Sequence, residues 1–256
     1  MVRVILYGCN GAMGQVITNL VSEQKEVEIV AGIDIHPIEK NGYPVYSSLK
    51  ECTIEADVIV DFTSAAAIDV LLDYCEIHGM PLVLCSTGLS DLQIQKVEQC
   101  AKKTAILRSA NMSLGVNLLL KLVKDGARTL GEAGFDIEIV EKHHNRKLDA
   151  PSGTALSLAD SINEAMGGRY HYQYDRSTRH EKRDKNEIGI SAVRGGSIVG
   201  EHEVIFAGQE EVVTISHTAY SRAIFGKGAI EAAKFLAGRP AGLYTMADVL
   251  DLTTMI

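Results

Sequence analysis

The chain lacks any long apolar segment. None of its apolar runs approaches the roughly 18–20 residues that a membrane-spanning helix needs, and the opening MVRVILYG has no signal-peptide architecture. We therefore expect a cytoplasmic protein whose first residues form a buried strand. The chain also lacks an excess of positive charge, since its formal net charge is −8. This charge argues against nucleic acid or an anionic membrane as the main partner.

Cysteine is sparse and follows no recognisable pattern. There are five cysteines, all within the first hundred residues, and none forms a C-x-x-C pair. An odd number without such pairs argues against a disulfide framework and against a zinc ribbon. It favours a reducing cytoplasm. We expect the cysteines to act as small buried hydrophobic residues.

The N-terminal half instead shows a regular alternation of strand and helix patterns. Short apolar runs at residues 2–7, 27–33, 57–61, 81–85 and 104–107 predict buried parallel strands. Helical spacing of apolar residues predicts helices at 11–23, 65–78 and 91–103, with Ser64 and Ser90 as N-caps of the last two. Alternation of this kind predicts an α/β fold with a parallel sheet of the Rossmann type.

The pattern changes after residue 113. Helices are predicted at 113–130, 152–166 and 225–237, and strands at 135–143, 187–193, 197–206 and 211–217, with a polar stretch at 167–186. Strands without intervening helices predict a second, α+β domain with a mixed or antiparallel sheet. We expect residues 1–113 and 224–256 to bind a dinucleotide. Residues 114–223 are expected to bind the substrate and to join subunits.

A glycine-rich loop lies between the first strand and the first helix. Gly8, Gly11 and Gly14 give G-x-x-G-x-x-G, which is close to the dinucleotide fingerprint but has Asn10 at the second glycine position. Helix N-termini present N–H groups and a positive dipole end to phosphates. Asp34 ends the second predicted strand, where the fingerprint places the acid that binds ribose. The alternatives are a purely structural turn and an exposed acid at a strand end.

The coenzyme is expected to be NADH, NADPH or both. An acid at position 34 repels a 2′-phosphate and favours NADH, although Arg3, His36 and Lys40 could offset it. Two later loops also follow predicted strands, where open α/β sheets bind ligands. Their candidate coenzyme contacts are Cys85, Ser86 and Thr87, and Ser109, Ala110, Asn111 and Met112; ordinary strand–helix turns are the alternative.

A second cluster of polar residues occupies positions 141–155, which read EKHHNRKLDAPSGTA. His143 and His144 end a predicted strand, so their side chains point to opposite faces and are not expected to share a metal ion. An imidazole beside Lys142, Arg146 and Lys147 suits a proton donor next to bound carboxylates. The Pro-Ser-Gly-Thr turn at 151–154 opens a helix and predicts a carboxylate-binding N-terminus. A simple N-cap at its serine is the alternative, as is a structural role for either histidine.

These motifs together resemble the dihydrodipicolinate reductase family. The resemblance covers nearly the whole chain, and it includes the glycine-rich loop and the 141–155 motif. It also includes Asp61-Phe62-Thr63, Ser86-Thr87-Gly88, Asn111 to Gly115, Val193 to Gly196, and Gly200-Glu201-His202. It implies NAD(P)H-dependent reduction of 4-hydroxy-tetrahydrodipicolinate or dihydrodipicolinate to tetrahydrodipicolinate, in the diaminopimelate pathway to lysine. A homotetramer is implied as well.

The resemblance also implies a role for individual residues. His143 would be the catalytic proton donor and Lys147 its catalytic partner. The substrate carboxylates would be bound by His144, Gly153 and Thr154. The coenzyme would be bound by Gly8, Cys9, Asn10, Gly11, Ala12, Met13 and Asp34 together with the two later loops, and no metal is implied. Two departures leave the coenzyme preference open: Ile35 stands where some members carry an arginine for the 2′-phosphate, and Cys85 replaces a frequent glycine.

Two other functions are compatible with parts of the pattern. An aspartate or homoserine dehydrogenase relative would share the nucleotide domain but not the His-His-x-x-Lys and Pro-Ser-Gly-Thr motifs. A regulatory protein that senses NAD(P) would not need a proton donor beside an anion site. Oxidation of NADH or NADPH in the presence of substrate would separate these functions.

Overall fold

The alternating N-terminal pattern and one C-terminal strand form a seven-stranded parallel sheet. The computed structural model describes residues 1–109 and 111–251 of the chain. The strands are β1 (Val2–Tyr7), β2 (Val27–Ile33), β3 (Val45–Tyr46), β4 (Val58–Asp61), β5 (Leu82–Leu84), β6 (Ala105–Arg108) and β12 (Gly242–Tyr244). Their order across the sheet is β12-β6-β5-β4-β1-β2-β3.

Helices cover both faces of this sheet. They are α1 (Ala12–Ser22), α2 (Ile68–His78), α3 (Asp91–Cys100), α6 (Ala223–Leu236) and the short α7 (Met246–Val249). Successive strand residues alternate between two separate cores. Val4 joins Ile17 of α1 and Leu236 of α6 in one core, whereas Ile5 joins Leu71 of α2 in the other. The predicted Rossmann-type fold is confirmed.

A five-stranded mixed sheet forms the second unit. It contains β7 (Asp136–His143), β8 (His171–Tyr174), β9 (Glu187–Arg194), β10 (Gly200–Ala207) and β11 (Val212–Ala219), in the order β11-β10-β7-β9-β8. The central strand β7 is antiparallel to β10 and parallel to β9. Its helices are α4 (Leu114–Gly126) and α5 (Gly153–Ala165). The predicted mixed sheet is confirmed.

One face of the mixed sheet is buried and the other is partly open. Ile139 and Phe206 lie in a core with Leu158 of α5 and Val123 of α4. The alternate residues of β7 and β10 are half-exposed. Among them, Lys142 pairs with Glu201 and Glu203 at 3.1 and 3.0 Å. Since β7 alternates strictly, Glu141 and His143 lie on the buried face.

Several elements differ from the sequence prediction. The helix predicted at 113–130 ends as α4 at Gly126 and continues as a π turn over Ala127–Gly131. The strands β3, β8 and β12 were not predicted, and β8 lies in the polar stretch 167–186. Ser90 caps α3 with a capping box as predicted. Ser64 precedes a 3₁₀ turn and makes no side-chain cap bond.

The chain divides into two compact units. The first contains Met1–Leu114 and Ala223–Ile256, and the second contains Gly115–Arg222. The assignment of coenzyme to the first and substrate to the second stays a prediction. No helix in the described ranges is long and apolar enough to cross a membrane.

Candidate active site

A cleft of about 870 Å³ opens at the carboxyl ends of β1, β2 and β4 in the first unit. Of the predicted coenzyme residues, Gly8, Asn10, Gly11 and Asp34 line it. The carboxyl edge of a parallel sheet is where open α/β folds bind their ligands. The lining also includes His36 and Lys40, which the sequence suggested could offset the charge of Asp34. The other lining residues were not predicted as a binding site and are Tyr7, Ile33, Ile35, Ile38, Phe62, Thr63, Ser64, Ala66, Ala67 and Val70.

The glycines of the loop are required by its geometry. Gly8 has φ +85°, and a Cβ there would lie 2.8 Å from the carbonyl oxygen of Phe62. A Cβ at Gly14 would overlap the carbonyl oxygen of Gly8, so α1 packs directly on the loop. Gly11 is the N-cap of α1, and no side chain caps the first-turn N–H groups. This arrangement fits a pyrophosphate at the helix N-terminus.

Asp34 and Asn10 connect the loop to the end of β2. The backbone N–H of Asn10 donates to Asp34 Oδ2 at 2.9 Å, and that of His36 donates to Oδ1 at 3.0 Å. The side-chain amide of Asn10 donates to the carbonyls of His36 and Ile38 at 2.7 and 3.2 Å. The residue that departs from the glycine fingerprint therefore fixes the rim of the cleft beside Asp34.

A buried carboxylate joins two further loops of the first unit. Asp61 is fully buried, and its Oδ1 accepts hydrogen bonds from the N–H and the hydroxyl of Thr63 at 3.1 and 2.5 Å. The Thr63 hydroxyl lies 3.4 Å from that of Ser86, a predicted coenzyme contact. Burial raises the pKa of Asp61. The carboxyl group thus holds the loops after β4 and β5 together.

The remaining predicted coenzyme residues differ in what they expose. Cys9 is fully buried, and burial followed by the charge of Asp34 raises the pKa of its thiol to about 11. Burial also raises the pKa of Cys85. Thr87 is exposed, whereas Ser86 and Met112 are buried. Ala12, Met13, Ser109 and Asn111 are partly or fully exposed, and Ala110 lies outside the described residues.

In the second unit, a buried network surrounds His143. The Nδ1 atom of His143 lies 2.6 Å from Oε2 of Glu141, which is fully buried. Arg194 donates two hydrogen bonds to the same carboxylate, from Nη2 at 2.6 Å and from Nη1 at 2.7 Å. Burial alone raises the pKa of Glu141, but the hydrogen bonds from Arg194 and His143 outweigh it and hold that pKa below its ordinary value.

A second imidazole lies beside the first. The His202 ring stands edge-on to that of His143, with centroids 5.2 Å apart. Its Nε2 lies 3.0 Å from the hydroxyl of Ser152, and this hydroxyl accepts the N–H of Ala155 at 3.2 Å as the N-cap of α5. Burial and the charge of His143 lower the pKa of His202 to about 4. At neutral pH the ring is uncharged.

The other predicted substrate residues lie at the loop between β7 and α5. Burial, followed by the charges of Arg146 and Arg222, lowers the pKa of His144. Lys147 pairs with Asp149 at 2.9 Å and leaves its ammonium partly exposed. A Cβ at Gly153 would meet no atom within 4 Å. The structure therefore leaves open space at the start of α5, next to a group of cations.

Lys142 does not join this group. Its ammonium pairs with Glu201 and Glu203 on the opposite face of the sheet. The sequence expectation that it lies beside the histidines fails because strand residues alternate between faces. Within the described ranges, no three His, Cys, Asp or Glu side chains form a group that could hold a metal ion.

Comparison with known proteins gives one family for both units. Residues 2–112 match the N-terminal model of dihydrodipicolinate reductase, and residues 115–250 match its C-terminal model. The chain belongs to the dihydrodipicolinate reductase family. This membership confirms the prediction of an NAD(P)H-dependent oxidoreductase.

Individual dihydrodipicolinate reductases are similar over their full length. The 4-hydroxy-tetrahydrodipicolinate reductase of Caldanaerobacter subterraneus subsp. tengcongensis is 54% identical over 250 residues, with 98% of each chain covered. That of Clostridium tetani is 47% identical over 251 residues, again with 98% of each covered. The dipicolinate-bound dihydrodipicolinate reductase from Paenisporosarcina sp. TG-14 has a TM-score of 0.81 at 26% identity, covering 97% of this chain and 98% of that one.

Sequence reasoning missed several residues around the predicted dihydrodipicolinate reductase site. Glu141, Arg194 and His202 occur in motifs that resemble those of the family, but the sequence alone indicates no role for them. A signal existed for Glu141, because residues two apart on a strand share a face and His143 was already a candidate. No spacing indicates that Arg194, 53 positions away, contacts Glu141.

Proposed function

We propose that the chain uses NADH or NADPH to reduce 4-hydroxy-tetrahydrodipicolinate, or dihydrodipicolinate, to tetrahydrodipicolinate, in the diaminopimelate route to lysine. The observation that carries this proposal is the imidazole of His143, held by a buried carboxylate next to the open N-terminus of α5. The relative from Paenisporosarcina, described as dipicolinate-bound, supports a planar dicarboxylate as the ligand class.

The coenzyme would be bound by the first unit. The turn at Gly8 and the first turn of α1 would hold the pyrophosphate, and Asp34 would accept a ribose hydroxyl. The loops at 85–87 and 109–112 would contact the nicotinamide half. The reduced nicotinamide, when bound, supplies the hydride. The cleft of about 870 Å³ beside Gly8, Asn10 and Asp34 supports this assignment.

The substrate carboxylates would be bound by the second unit. Gly153 and Thr154 would offer main-chain N–H groups at the start of α5, and the space around Gly153 supports close approach. His144 would contact a carboxylate, and Lys147 would provide positive charge. Bound in this way, the dicarboxylate is oriented before hydride reaches its ring, which lowers the entropic part of the barrier.

His143 would supply the proton. Dihydrodipicolinate is an unsaturated imine, and 4-hydroxy-tetrahydrodipicolinate becomes this imine when its hydroxyl group leaves as water. Hydride addition to the imine leaves an electron-rich enamine carbon, which takes a proton from Nε2 of His143. Because Nδ1 faces the carboxylate of Glu141, Nε2 is the atom available for this transfer. Water then returns a proton to the imidazole, so each turnover consumes one hydride and one proton.

Replacing His143 tests the proposal. General-acid catalysis contributes about 10²- to 10⁴-fold, so His143→Gln is expected to lower kcat by that factor and to leave coenzyme affinity unchanged. His180→Gln, at an exposed position, is the matched control. Turnover is followed by loss of nicotinamide absorbance with freshly generated substrate. Unchanged kcat in His143→Gln would refute the role, and no oxidation of either coenzyme by the unmodified protein would favour a nucleotide sensor.

Two further properties belong to the proposal. The half-exposed face of the mixed sheet, on which Val212 is 61% exposed, supports assembly of copies through this sheet into a homotetramer. Light scattering in solution would measure that state, and a monomer would refute it. The five cysteines are all free, which supports a cytoplasmic location.

A further inference from the structure

The carboxylate of Glu141 connects two parts of the proposed site. Its Oε2 faces Nδ1 of His143 at 2.6 Å, and its Oε1 accepts the backbone N–H of Ser152 at 2.9 Å. Ser152 is the N-cap of α5, directly before Gly153. One side chain therefore contacts both the proposed proton donor and the turn that would bind the substrate carboxylates.

The charge state of Glu141 determines which nitrogen of His143 carries hydrogen. Burial raises the pKa of Glu141, but the hydrogen bonds from Arg194, His143 and Ser152 together hold it below its ordinary value. The group is therefore an ionised carboxylate at neutral pH. An ionised carboxylate can only accept hydrogen bonds, so Nδ1 of His143 must donate.

Stability alone does not account for this buried ion pair. Glu141 is fully buried and the Arg194 side chain is 19% exposed. Removing two charges from water costs about as much as their attraction returns, so apolar residues of similar volume would often stabilise a fold equally well. A carboxylate at this position instead has a directional role, because it accepts a hydrogen bond from the ring of His143.

The imidazole is also confined on its other sides. The ring of His202 contacts it edge-on, and a Cβ at Gly200 would lie 3.1 Å from Nε2 of His143. A side chain at position 200 would therefore crowd the nitrogen that is proposed to give up the proton. The ring is therefore held by Glu141 at Nδ1, and the absence of a side chain at Gly200 leaves space beside Nε2.

We infer that Glu141 is a positioning residue for the reaction, with Arg194 as its fixed counter-charge. It sets the Nδ1–H form of His143 and fixes the distance between this ring and the start of α5. This inference rests on the proposed function, because Glu141 would act on the reaction only through His143.

The variant Glu141→Gln tests the inference. Its amide keeps the volume, and its carbonyl still accepts from Ser152, but its NH₂ group cannot accept the proton of Nδ1. Loss of the correct tautomer lowers kcat strongly in other histidine-dependent enzymes. We expect kcat to fall about 10²- to 10⁴-fold, while the KM of the coenzyme stays unchanged. The ¹⁵N NMR signals of His143 are expected to shift away from the Nδ1–H form.

The controls separate this inference from the proposed function. Glu164→Gln removes a carboxylate that pairs with Lys124 on the surface of the same unit, and it is expected to behave like the unmodified protein. If His143→Gln is inactive but a folded Glu141→Gln has wild-type kcat, the positioning role is wrong and the proton donor stands. If both variants keep full activity, the proton donor and the positioning role both fail.

A second variant covers the case in which Glu141→Gln does not fold. Arg194→Lys keeps a positive charge but loses the bidentate hydrogen bonding to the carboxylate. We expect a smaller fall in kcat than in Glu141→Gln, with the coenzyme KM unchanged and the Nδ1–H signal of His143 broadened. Wild-type kcat together with an unchanged signal would contradict the inference.

Discussion

The backbone N–H of Asn10 donates a 2.9 Å hydrogen bond to the carboxylate of Asp34. The glycine-rich loop and the end of β2 therefore fix each other, and the carboxylate cannot turn away from the cleft without losing this bond. A fixed negative charge at the ribose position is unfavourable for a 2′-phosphate, because juxtaposed like charges repel.

Changing Asp34 is expected to alter the coenzyme preference. Asp34→Asn keeps an acceptor for the N–H of Asn10 but removes the charge. The ratio of kcat/KM for NADPH to that for NADH is expected to rise about tenfold, which corresponds to about 1.4 kcal/mol. Glu28→Gln, on the exposed side of the same strand, should leave the ratio unchanged. An unchanged ratio in Asp34→Asn would show that this acid does not contact the ribose.

Changing Lys147 is expected to affect binding and turnover together. Its ammonium pairs with Asp149 at 2.9 Å near the start of α5, and it is proposed to interact with the substrate. Lys147→Ala should raise the substrate KM and lower kcat, each by about tenfold or more, because a charge-assisted hydrogen bond is lost. Steady-state kinetics with Lys124→Ala as the matched loss of an ion pair provides the comparison. Equal kinetics in the two variants would remove Lys147 from the site.

Gly153 offers a test in which stability and binding are expected to separate. A Cβ at this position meets no protein atom within 4 Å, so Gly153→Ala should leave the free energy of unfolding unchanged or slightly higher. The same methyl group would occupy the space proposed for a carboxylate, so the substrate KM should rise about tenfold, the equivalent of about 1.4 kcal/mol. Urea unfolding and initial rates measure the two effects. An unchanged KM would place the carboxylate elsewhere.

The buried ring of His202 is expected to make stability depend on pH. Its folded pKa of about 4 lies below the ordinary value of 6.5. As the pH falls from 6.5, the unfolded chain binds this proton first, so stability decreases toward pH 4, with a slope of up to about 1.4 kcal/mol per pH unit. His202→Gln should show a flatter decline between pH 6.5 and 4.

Urea unfolding at several pH values checks this expectation. His180→Gln, at an exposed position, should follow the unmodified protein. Parallel stability curves for the unmodified protein and His202→Gln would mean that protonation of His202 does not oppose folding.

The sequence predicted the fold where local pattern and burial agree. The apolar run of β1, the glycine-rich loop and the spacing of α1 all indicate the same unit, and the structure contains it. The strands β3 and β12 lie at the edges of their sheet and have two and three residues. Edge strands are buried less and pair on one side, so their apolar pattern is weak.

The end of α4 shows a second limit of predicting the fold from apolar spacing. Apolar spacing continued through residue 130, and a helix of one type was therefore expected. The chain instead widens into a π turn at Ala127–Gly131. An α-helix and a π turn differ in which carbonyl accepts each backbone N–H, and the spacing of apolar residues does not indicate this difference.

The candidate site was predicted where its residues are close in sequence. The motif at 141–155 places His143, Lys147 and Gly153 within a few residues of one another. Arg194 and His202 come from β9 and β10, the strands on either side of β7, and their contacts depend on strand order and register. Local sequence patterns indicate neither strand order nor register, so only the structure identifies Arg194 and His202 as partners of the site.

The burial of Cys9 has a consequence for how the protein tolerates oxidants. With a pKa of about 11, the thiol is ionised in roughly one molecule in ten thousand at pH 7. Peroxides and alkylating reagents attack the thiolate, and this sulfur is also fully shielded from solvent. The glycine-rich loop is therefore expected to keep its shape under oxidative stress, and thiol reagents are expected to react first with cysteines other than Cys9.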